Sequence, residues 1–520
     1  MPKLLKLLLI AVFFNALSWI VLIPLWQYPD EQAHFAQIQD TAELGKTPVG
    51  IDTSEEITVS EKIFGTERDG FGNNRYTYHP EFNIDYSDAD EGLFENYIES
   101  IDKSSRTNLV KKEATHNPSL YYFLGSLFHK VFGWGDLLTR VFALRIMSAI
   151  LFLALVFAAY KIATLIFENK ILQVVLPTLV AFKPMLVFAS TGVLPDVLTN
   201  LLFTIIVYLS LKILLGGINK KLTLRVFIIV LLGVFTRQQF LISLPIILVA
   251  VFYQLFKNRN QLQKYIFPAG ATIASGVLLT FMIPQLGYLR NLAFPEIGRP
   301  DWGLLFKESF IEHVKISLNQ TYVQTLPWYW GVYRWLSFTL PPIVYQIINR
   351  FILFALLGVI LKIVTAVFRR KITDLDKVLY FMIFSSFIYY VILIVWDYYF
   401  RLDHGFSFGL QGRYLFPLVI AHLSIILTGL VAVFELIFRN YAKWGYLVLV
   451  SLLIAFNDAS LLFVSSSYYS FSNVKTFVSQ ASQYKPELFK DIILLIIIVL
   501  ALTLQLFFIL RLLKFINAKN

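Results

Sequence analysis

Long apolar runs constrain the fold of this chain more than any other feature. About 20 apolar residues cross a bilayer as one helix, and runs of roughly that length recur along most of the sequence. They lie at 4–26, 138–167, 171–190, 195–215, 265–285, 346–368, 378–399, 413–438, 443–465 and 488–515. The stretch 222–257 is long enough for two more, broken by Arg237, Gln238 and Gln239. We therefore predict an all-α polytopic membrane protein with about twelve transmembrane helices.

The composition supports this class. Hydrophobic residues make up 57% and charged residues 15% of the 520 residues, which is too apolar for a soluble protein. The chain has no cysteine, which excludes disulfides, thiol catalysis and thiolate metal sites. The net charge of +11 does not indicate a nucleic-acid partner, because excess Lys and Arg in a membrane protein collects in cytoplasmic loops.

The first apolar run could be a cleaved signal peptide or a retained helix. It spans about 22 residues, long enough to cross the membrane, and no small-x-small cleavage site follows it. It ends through Pro24, Trp26 and Tyr28. We read it as a retained span.

The distribution of charge predicts the orientation. If the N-terminus is cytoplasmic, every predicted inside segment carries Lys or Arg, whereas 27–117 on the other side has 19 Asp or Glu against 8 Lys or Arg. The positive-inside rule thus places the protein in the cell (cytoplasmic or inner) membrane with its first large loop outside. The predicted order is one transmembrane helix, an extracytoplasmic loop with an acidic motif and an interfacial helix, helices 2–7, a second extracytoplasmic loop, and helices 8–12. The corresponding ranges are 1–26, 27–137, 138–285, 286–345 and 346–520.

An acidic motif at the exit of the first span is the foremost candidate site. Asp30, Glu31 and His34 follow the span directly, and Asp30 and His34 share a face if the segment is helical. A carboxylate at a membrane edge can act as a general base on a hydroxyl. The alternative is an interfacial anchor with a helix cap. The three side chains also form an incomplete ligand set for a divalent cation, and no other cofactor is indicated.

Other candidates fall on the same predicted side of the membrane. Asp196 and Asn200 lie one helical turn apart after Pro195, and a Pro-initiated helix with a capping carboxylate is their structural alternative. Arg237 and Gln238 interrupt an apolar stretch, where an arginine would pair with a carboxylate, hold a lipid phosphate or extend to the surface.

Two further motifs supply polar groups to that side. Arg413 and Tyr414 open a predicted helix, a place for an anionic headgroup. His116 precedes Pro118 and is expected to line the same cavity.

These motifs in this order resemble a known family. Pro-Asp-Glu-x-x-His-Phe ends the first span, and His-Asn-Pro-Ser-Leu-Tyr-Tyr follows the long loop. A span bearing Arg140 and Arg145, the outer Asp196 and Asn200, a Trp-Gly turn at 330–331 and Gln-Gly-Arg-Tyr-Leu-Phe-Pro at 411–417 come next. The chain resembles bacterial multi-spanning proteins of a domain-of-unknown-function family, itself similar to the GT-C glycosyltransferases such as protein O-mannosyltransferases and the aminoarabinose transferase of lipid A.

The resemblance implies a GT-C-like fold and a sugar transferase with a polyprenyl-phosphate donor. Asp30 matches the catalytic acidic position and Glu31 its neighbour, Asp196 matches a second outer acidic position, and Arg413 is implied as a phosphate ligand. The acceptor would be an extracytoplasmic glycan, lipid or protein.

Two other function classes stay open at this point. A transporter or lipid flippase would place ionisable residues deep in several spans, whereas most of these candidates are predicted at one surface. A non-enzymatic envelope assembly protein would use the acidic segment 47–112 for recognition. The leading expectation is a transferase with Asp30 as its general base.

Overall fold

The structure is a computed structural model that describes residues 3–45, 52–69, 72–84, 86, 96–98, 100–112, 120–257, 302–370, 372–438 and 441–518. Helices dominate these residues, and we number them in chain order. They are α1 Lys3–Leu22, α2 Glu31–Glu43, α3 Glu55–Phe64, α4 Leu120–Val131, α5 Leu137–Ile166, α6 Leu172–Ala181, α7 Pro184–Thr191, α8 Asp196–Gly216, α9 Lys220–Thr236, α10 Ser243–Lys257, α11 Glu308–Gln320, α12 Leu326–Trp330, α13 Pro342–Arg369, α14 Asp374–His404, α15 Val419–Ile437, α16 Ala442–Ser466, α17 Val474–Ser482 and α18 Asp491–Asn517.

Within the described residues, four short strands pair as two antiparallel ribbons. They are β1 Asp52–Ser54 with β2 Leu109–Lys112, and β3 Val332–Tyr333 with β4 Phe338–Thr339. Asp52 pairs with Lys112 in the first ribbon and Val332 with Thr339 in the second. The ribbons are too small to form a core of their own.

Nine helical segments within the described ranges are long and apolar enough to span a membrane, and α6 with α7 would form a tenth span bent by 59°. The predicted all-α polytopic class is confirmed. The nine segments are 3–22, 137–166, 196–216, 239–257, 342–369, 374–404, 412–437, 442–466 and 491–517. The count of twelve stays a prediction, because α9 has only 17 residues and the predicted span 265–285 lies outside the described residues.

The first helix is packed mostly against other helices. It packs against α5, α7 and α18, and Leu5, Leu8 and Trp19 on it are fully buried. A helix that is apolar all round must be surrounded by protein or lipid, and this one is mostly surrounded by protein. This packing fixes the position from which the segment after α1 begins.

Small residues allow α13 and α15 to approach closely. A Cβ placed on Gly358 would lie 1.9 Å from the Gly429 carbonyl oxygen, and one on Gly429 would lie 2.0 Å from the Ala355 carbonyl oxygen. Membrane helices associate through such small residues, because lipid gives little hydrophobic drive for association.

A proline explains the break between α6 and α7. Pro184 opens α7, and Lys183 before it has an extended backbone, with φ −73° and ψ 110°, because a residue before proline avoids the helical region. The buried Lys183 ammonium donates to the Tyr329 carbonyl. It lies 3.7 Å from the centre of the Tyr329 ring and 4.1 Å from that of Trp330. The break is thereby joined to α12.

A layer of short elements covers the ends of α1 and α5. It contains α2, α3, α4 and the β1–β2 ribbon, and α4, Leu120–Val131, lies within the loop 27–137 that was predicted to contain an interfacial helix. Arg140 of α5 joins this layer to the bundle through two hydrogen bonds to the Glu56 carboxylate, of 2.9 and 2.7 Å. Both side chains are buried, so each compensates the charge of the other.

Candidate functional site

The chain between α1 and α2 is held in an unusual backbone conformation. Trp26 and Asp30 have φ values of 58° and 59°, in the left-handed region. Non-glycine residues rarely adopt this region, although Asp tolerates it better than most, and such strain is concentrated at functional sites. Asp30 makes no side-chain cap to α2, so its carboxylate is directed elsewhere.

That carboxylate lies between two guanidinium groups. Its Oδ1 accepts a hydrogen bond from Arg68 at 3.2 Å and its Oδ2 one from Arg413 at 3.0 Å, while the side chain keeps 32% of its surface exposed. Burial disfavours the ionised form, but the charges of Arg413 and Arg68 outweigh it and lower the pKa of Asp30 to about 2. Asp30 is therefore an ionised carboxylate with an open edge.

Glu31 has a different environment from its neighbour. It is fully buried, and both oxygens accept from Arg145, at 2.9 and 2.6 Å. The Val193 amide also donates to it at 3.2 Å. Arg145 further donates to three carbonyls at the end of α1, those of Ile20, Ile23 and Pro24. The pair thus fixes the α1 exit to α5 and to the turn before α8.

His34 lies one turn after Asp30 on α2 and is 3% exposed. Its Nδ1 is 2.9 Å from the Tyr122 hydroxyl. Burial lowers the pKa of His34 to about 4, with Asp30 and Asp196 opposing and Arg237 and Arg413 adding to the shift. The imidazole is therefore neutral at pH 7, and four charged side chains lie within electrostatic reach of it.

Asp196 begins α8 and pairs with Arg237, which follows α9. Its second oxygen and the Asn200 side-chain nitrogen are both buried without a hydrogen-bond partner among the described residues. The two residues share a face of α8, one turn apart. Buried polar atoms left unpaired are costly, which favours a polar ligand or water beside them.

A 3-10 helix, Gly412–Leu418, carries Arg413 and Tyr414 into the site. Gly412 permits this position, because a Cβ there would lie 2.2 Å from the Tyr329 backbone nitrogen. The Tyr389 hydroxyl donates to the Tyr414 carbonyl at 2.9 Å and accepts from Gln239 at 2.5 Å. The Arg413 and Arg237 segments are thus linked through one tyrosine.

The structure brings six of the predicted residues together with one that the sequence analysis missed. We call them the Asp30 cluster, which consists of Asp30, His34, Arg68, Asp196, Arg237, Arg413 and Tyr414. Three guanidinium groups and two carboxylates leave it with a net charge of +1 when His34 is neutral. An anion would be attracted to it.

The remaining predicted residues fall around this cluster or beyond the described chain. Glu31 lies beneath it in the Arg145 pair, Asn200 follows Asp196 on α8, and Gln238 begins a short 3-10 helix. His116 lies outside the described residues. Within the described ranges, no group of three or more His, Asp or Glu side chains is arranged to hold a metal ion.

Arg68, Arg145 and Tyr122 are site residues that the motif analysis did not single out as such. The sequence position of Arg145 could have indicated its role, since an arginine inside an apolar span requires a charged or polar partner. The position of Arg68 gave no such indication, because it sits in an acidic loop like any solvated charge.

Comparison with known proteins identifies the family. No curated protein matches the chain. Among solved structures it is similar to the archaeal oligosaccharyltransferase AglB from Archaeoglobus fulgidus in complex with an inhibitory peptide and a dolichol-phosphate (13% identity, TM-score 0.46, covering 89% of this chain). The chain spans 56% of that protein's length. It is also similar to ArnT from Cupriavidus metallidurans bound to undecaprenyl phosphate (12% identity, TM-score 0.40, covering 98% of this chain and 77% of that one). The family model described as "Predicted membrane protein (DUF2142)" matches residues 13–421, most of the chain, which therefore belongs to this family.

Proposed function

We propose that the protein is an integral-membrane glycosyltransferase that moves a sugar from a polyprenyl-phosphate donor to an extracytoplasmic acceptor. In this proposal the N-terminus is cytoplasmic and the Asp30 cluster faces outward from the cell membrane. The motif order that resembles the GT-C enzymes and the basic predicted inside loops both support it.

One observation carries the proposal: a partly exposed, ionised carboxylate is held between guanidinium groups that come from distant parts of the chain. Asp30, Arg68 and Arg413 meet just beyond the end of α1 in a cluster with excess positive charge. A transferase needs both functions side by side, a base for the acceptor and cations for a leaving phosphate.

The reaction step uses these groups as follows. The acceptor hydroxyl oxygen attacks the anomeric carbon of the donor and forms the new glycosidic bond with inversion, while the bond from that carbon to the phosphate oxygen breaks. The hydroxyl proton passes to the Asp30 carboxylate. The electron pair of the broken bond stays on the polyprenyl phosphate, where Arg413 and Arg237 stabilise the added charge.

Donor binding would itself activate Asp30. In the free protein, the two arginines keep the pKa of Asp30 near 2, which makes it a weak base. A phosphate that draws Arg413 toward itself removes part of this stabilisation, so the Asp30 pKa rises and proton transfer becomes more favourable. The base would then gain strength only when a donor is in place.

The other candidates take supporting roles in this proposal. Glu31 positions Asp30 through its pair with Arg145. His34, Asp196 and Asn200 line the sugar side and Tyr414 borders the phosphate, while Gln238 is proposed as a substrate ligand from its sequence position alone. His116 is proposed as a substrate ligand from its sequence motif alone. A divalent cation has no support from the described residues.

Binding of a polyprenyl phosphate to the purified protein tests the proposal first. Undecaprenyl phosphate in detergent should bind the wild type and bind at least tenfold more weakly to Arg413→Ala and Arg237→Ala, because each variant removes a cation from the cluster. Arg225→Ala is the matched control, since this arginine is exposed in the first half of α9, away from Arg237.

Two outcomes would contradict the proposal. Absence of binding to the wild type would favour a transporter or an assembly protein. Equal binding by all variants would mean that the lipid associates with the protein away from the Asp30 cluster.

A further inference from the structure

A cavity lies in the loop segment whose Arg68 contacts Asp30. It has a volume of about 480 Å³ and is lined by residues between Glu67 and Phe82, and we call it the loop cavity. Its size falls within the range of small-molecule sites, about 300–1,000 Å³.

Asn74 supplies an unsatisfied donor in this cavity. The residue is 7% exposed, and its Nδ2 has no hydrogen-bond partner among the described residues. Its Oδ1 accepts from the Tyr76 backbone amide at 2.9 Å. Because a backbone N–H can only donate, this bond fixes the orientation of the side-chain amide, with Nδ2 left for a ligand acceptor.

Aromatic rings border the same cavity. Tyr78 is 57% exposed and Phe82 is 42% exposed. Tyr78 is held in place, since its ring stacks on Trp328 with centroids 6.4 Å apart and its amide donates to the Trp335 carbonyl at 3.3 Å. The negative face of an aromatic ring attracts the weakly positive C–H groups on one face of a sugar ring.

The charge of the loop cavity differs from that of the Asp30 cluster. Glu67 and Asp69 supply two carboxylates, and Arg75 supplies one guanidinium. These two carboxylates outnumber the one guanidinium, so the three side chains carry a net negative charge, and His79 is hydrogen-bonded to Glu81 at 2.8 Å. An anionic ligand is disfavoured here, whereas hydroxyl groups can both donate to the carboxylates and accept from Asn74 and Arg75.

The loop cavity is lined by residues adjacent in sequence to a contact of Asp30, the proposed base. Arg68, which contacts Asp30 at 3.2 Å, lies in sequence between the cavity residues Glu67 and Asp69. Consecutive Cα atoms are about 3.8 Å apart, so one short stretch of chain contacts Asp30 with Arg68 and lines the cavity with its two neighbours.

We propose that the loop cavity is the acceptor subsite and that it takes a neutral, hydroxyl-rich saccharide. Its role as an acceptor site rests on the transferase proposal, whereas binding of the saccharide does not. This proposal restricts the acceptor class from a glycan, lipid or protein to a glycan. The sugar units that occupy the cavity would carry no charged groups.

Saturation-transfer NMR on the full-length protein in a sugar-free detergent tests the proposal. The probes are three neutral trisaccharides, namely maltotriose, chitotriose and mannotriose. At least one should receive saturation from the protein, and Phe82→Ala and Asn74→Asp should weaken its binding at least tenfold. Asn74→Asp keeps the acceptor for the Tyr76 amide and replaces the donor with an acceptor oxygen of a charged carboxylate. Tyr97→Ala is the control, because Tyr97 is an equally exposed ring on the same loop outside the cavity lining.

The outcomes separate this proposal from the transferase proposal. Absence of saturation transfer to all three trisaccharides, or equal transfer in wild type and both variants, would overturn the saccharide site. Phe82→Ala and Asn74→Asp should retain undecaprenyl-phosphate binding, which also shows that they fold. The wild type could also bind a saccharide, and bind it more weakly in both variants, without binding the lipid phosphate. In that case the cavity would still be a site for neutral saccharides, but its role as the acceptor subsite would be overturned.

Discussion

At the residue scale, Asp30 combines an unusual backbone conformation with an unusual charge environment. A left-handed φ at a non-glycine residue persists only where its surroundings hold it, and here α1, α2 and two arginines do so. The Asp30→Asn variant tests the carboxylate with the backbone retained, because Asn tolerates the same conformation, removes the charge and replaces one acceptor oxygen with an amide donor.

Asp30→Asn should bind undecaprenyl phosphate several-fold more tightly than wild type while losing sugar transfer by roughly 10²–10⁴-fold. Removal of the carboxylate frees Arg68 and Arg413 for the phosphate and leaves no base for the acceptor. Lipid titration and complementation of a deletion strain measure the two effects. Asp374→Asn, at a carboxylate that is 73% exposed in an ion pair with Lys377, should change neither. Weaker lipid binding by Asp30→Asn would contradict the proposal that Arg413 leaves the Asp30 carboxylate to bind the donor phosphate.

His34 should make stability depend on pH. Burial lowers its pKa from 6.5 to about 4, so the folded state favours the neutral ring. Its contribution is fully present above pH 6.5 and is lost as the pH falls toward 4, at a cost of roughly 3 kcal/mol. Thermal unfolding in detergent between pH 7 and 4 should show a smaller loss of stability in His34→Gln than in wild type. The exposed His404→Gln should follow the wild-type curve, and identical curves for all three proteins would refute the prediction.

Substitution of Glu31 should mainly reduce the stability of the folded protein. Glu31→Gln leaves the fully buried Arg145 without its counter-charge, which costs about 3–5 kcal/mol. Thermal unfolding measures the loss, with the exposed Glu55→Gln as control. A variant that is as stable as wild type but inactive would instead place Glu31 in the chemistry.

The charged residues of the site could be predicted from sequence only where a charge interrupts an apolar pattern. Asp30, Asp196, Arg237 and Arg413 each follow or break an apolar run, and the structure gathers these four. Arg68 lies among many loop charges 38 positions after Asp30, and periodicity carries no information about such a contact. The Arg413–Asp30 contact, across 383 positions, likewise depends on the helix packing.

At the element scale, the short 3-10 helix with Arg413 depends on one glycine. A Cβ on Gly412 would meet backbone atoms of α12, which cannot rotate away as a side-chain tip can. Gly412→Ala should therefore displace Arg413 and weaken undecaprenyl-phosphate binding as much as Arg413→Ala does. Gly216→Ala is the matched control, since no atom lies within 4 Å of its added Cβ. Wild-type binding by Gly412→Ala would show that the helix has room to shift.

The positions of the long helices could be predicted from the sequence more accurately than the breaks within the apolar runs. The predicted runs 138–167 and 195–215 match α5 and α8 within one or two residues, because long apolar segments in a membrane have few alternatives to a helix. The predicted run 171–190 is instead two helices bent by 59° at Lys183. Pro184 signals that break, but a hydropathy window averages over it.

At the scale of the whole molecule, the chain brings most of its candidate chemistry to one end of the bundle. The Asp30 cluster draws on the segment after α1, the start of α8, the end of α9 and the start of the span at 412. Other ionisable residues of the described chain lie within spans, among them Arg145 of α5, Lys183 at the break between α6 and α7, and Asp458 of α16. Arg145 and Lys183 are bound by other parts of the protein, whereas Asp458 lines a separate cavity of about 410 Å³ between α1, α16 and α18. A transport pathway would require several such groups along one cavity.

The absence of cysteine makes the predicted orientation directly testable, because each introduced cysteine is the only thiol in the chain. Glu81→Cys lies on the exposed loop that carries the loop cavity, and Lys220→Cys lies at the exposed start of α9, in a predicted cytoplasmic loop. A membrane-impermeant maleimide should label Glu81→Cys in intact cells or spheroplasts, and Lys220→Cys only after lysis. The reverse pattern would place the Asp30 cluster in the cytoplasm. Nucleotide sugars would then be available to it, and the main reason for proposing a lipid-linked donor would be lost.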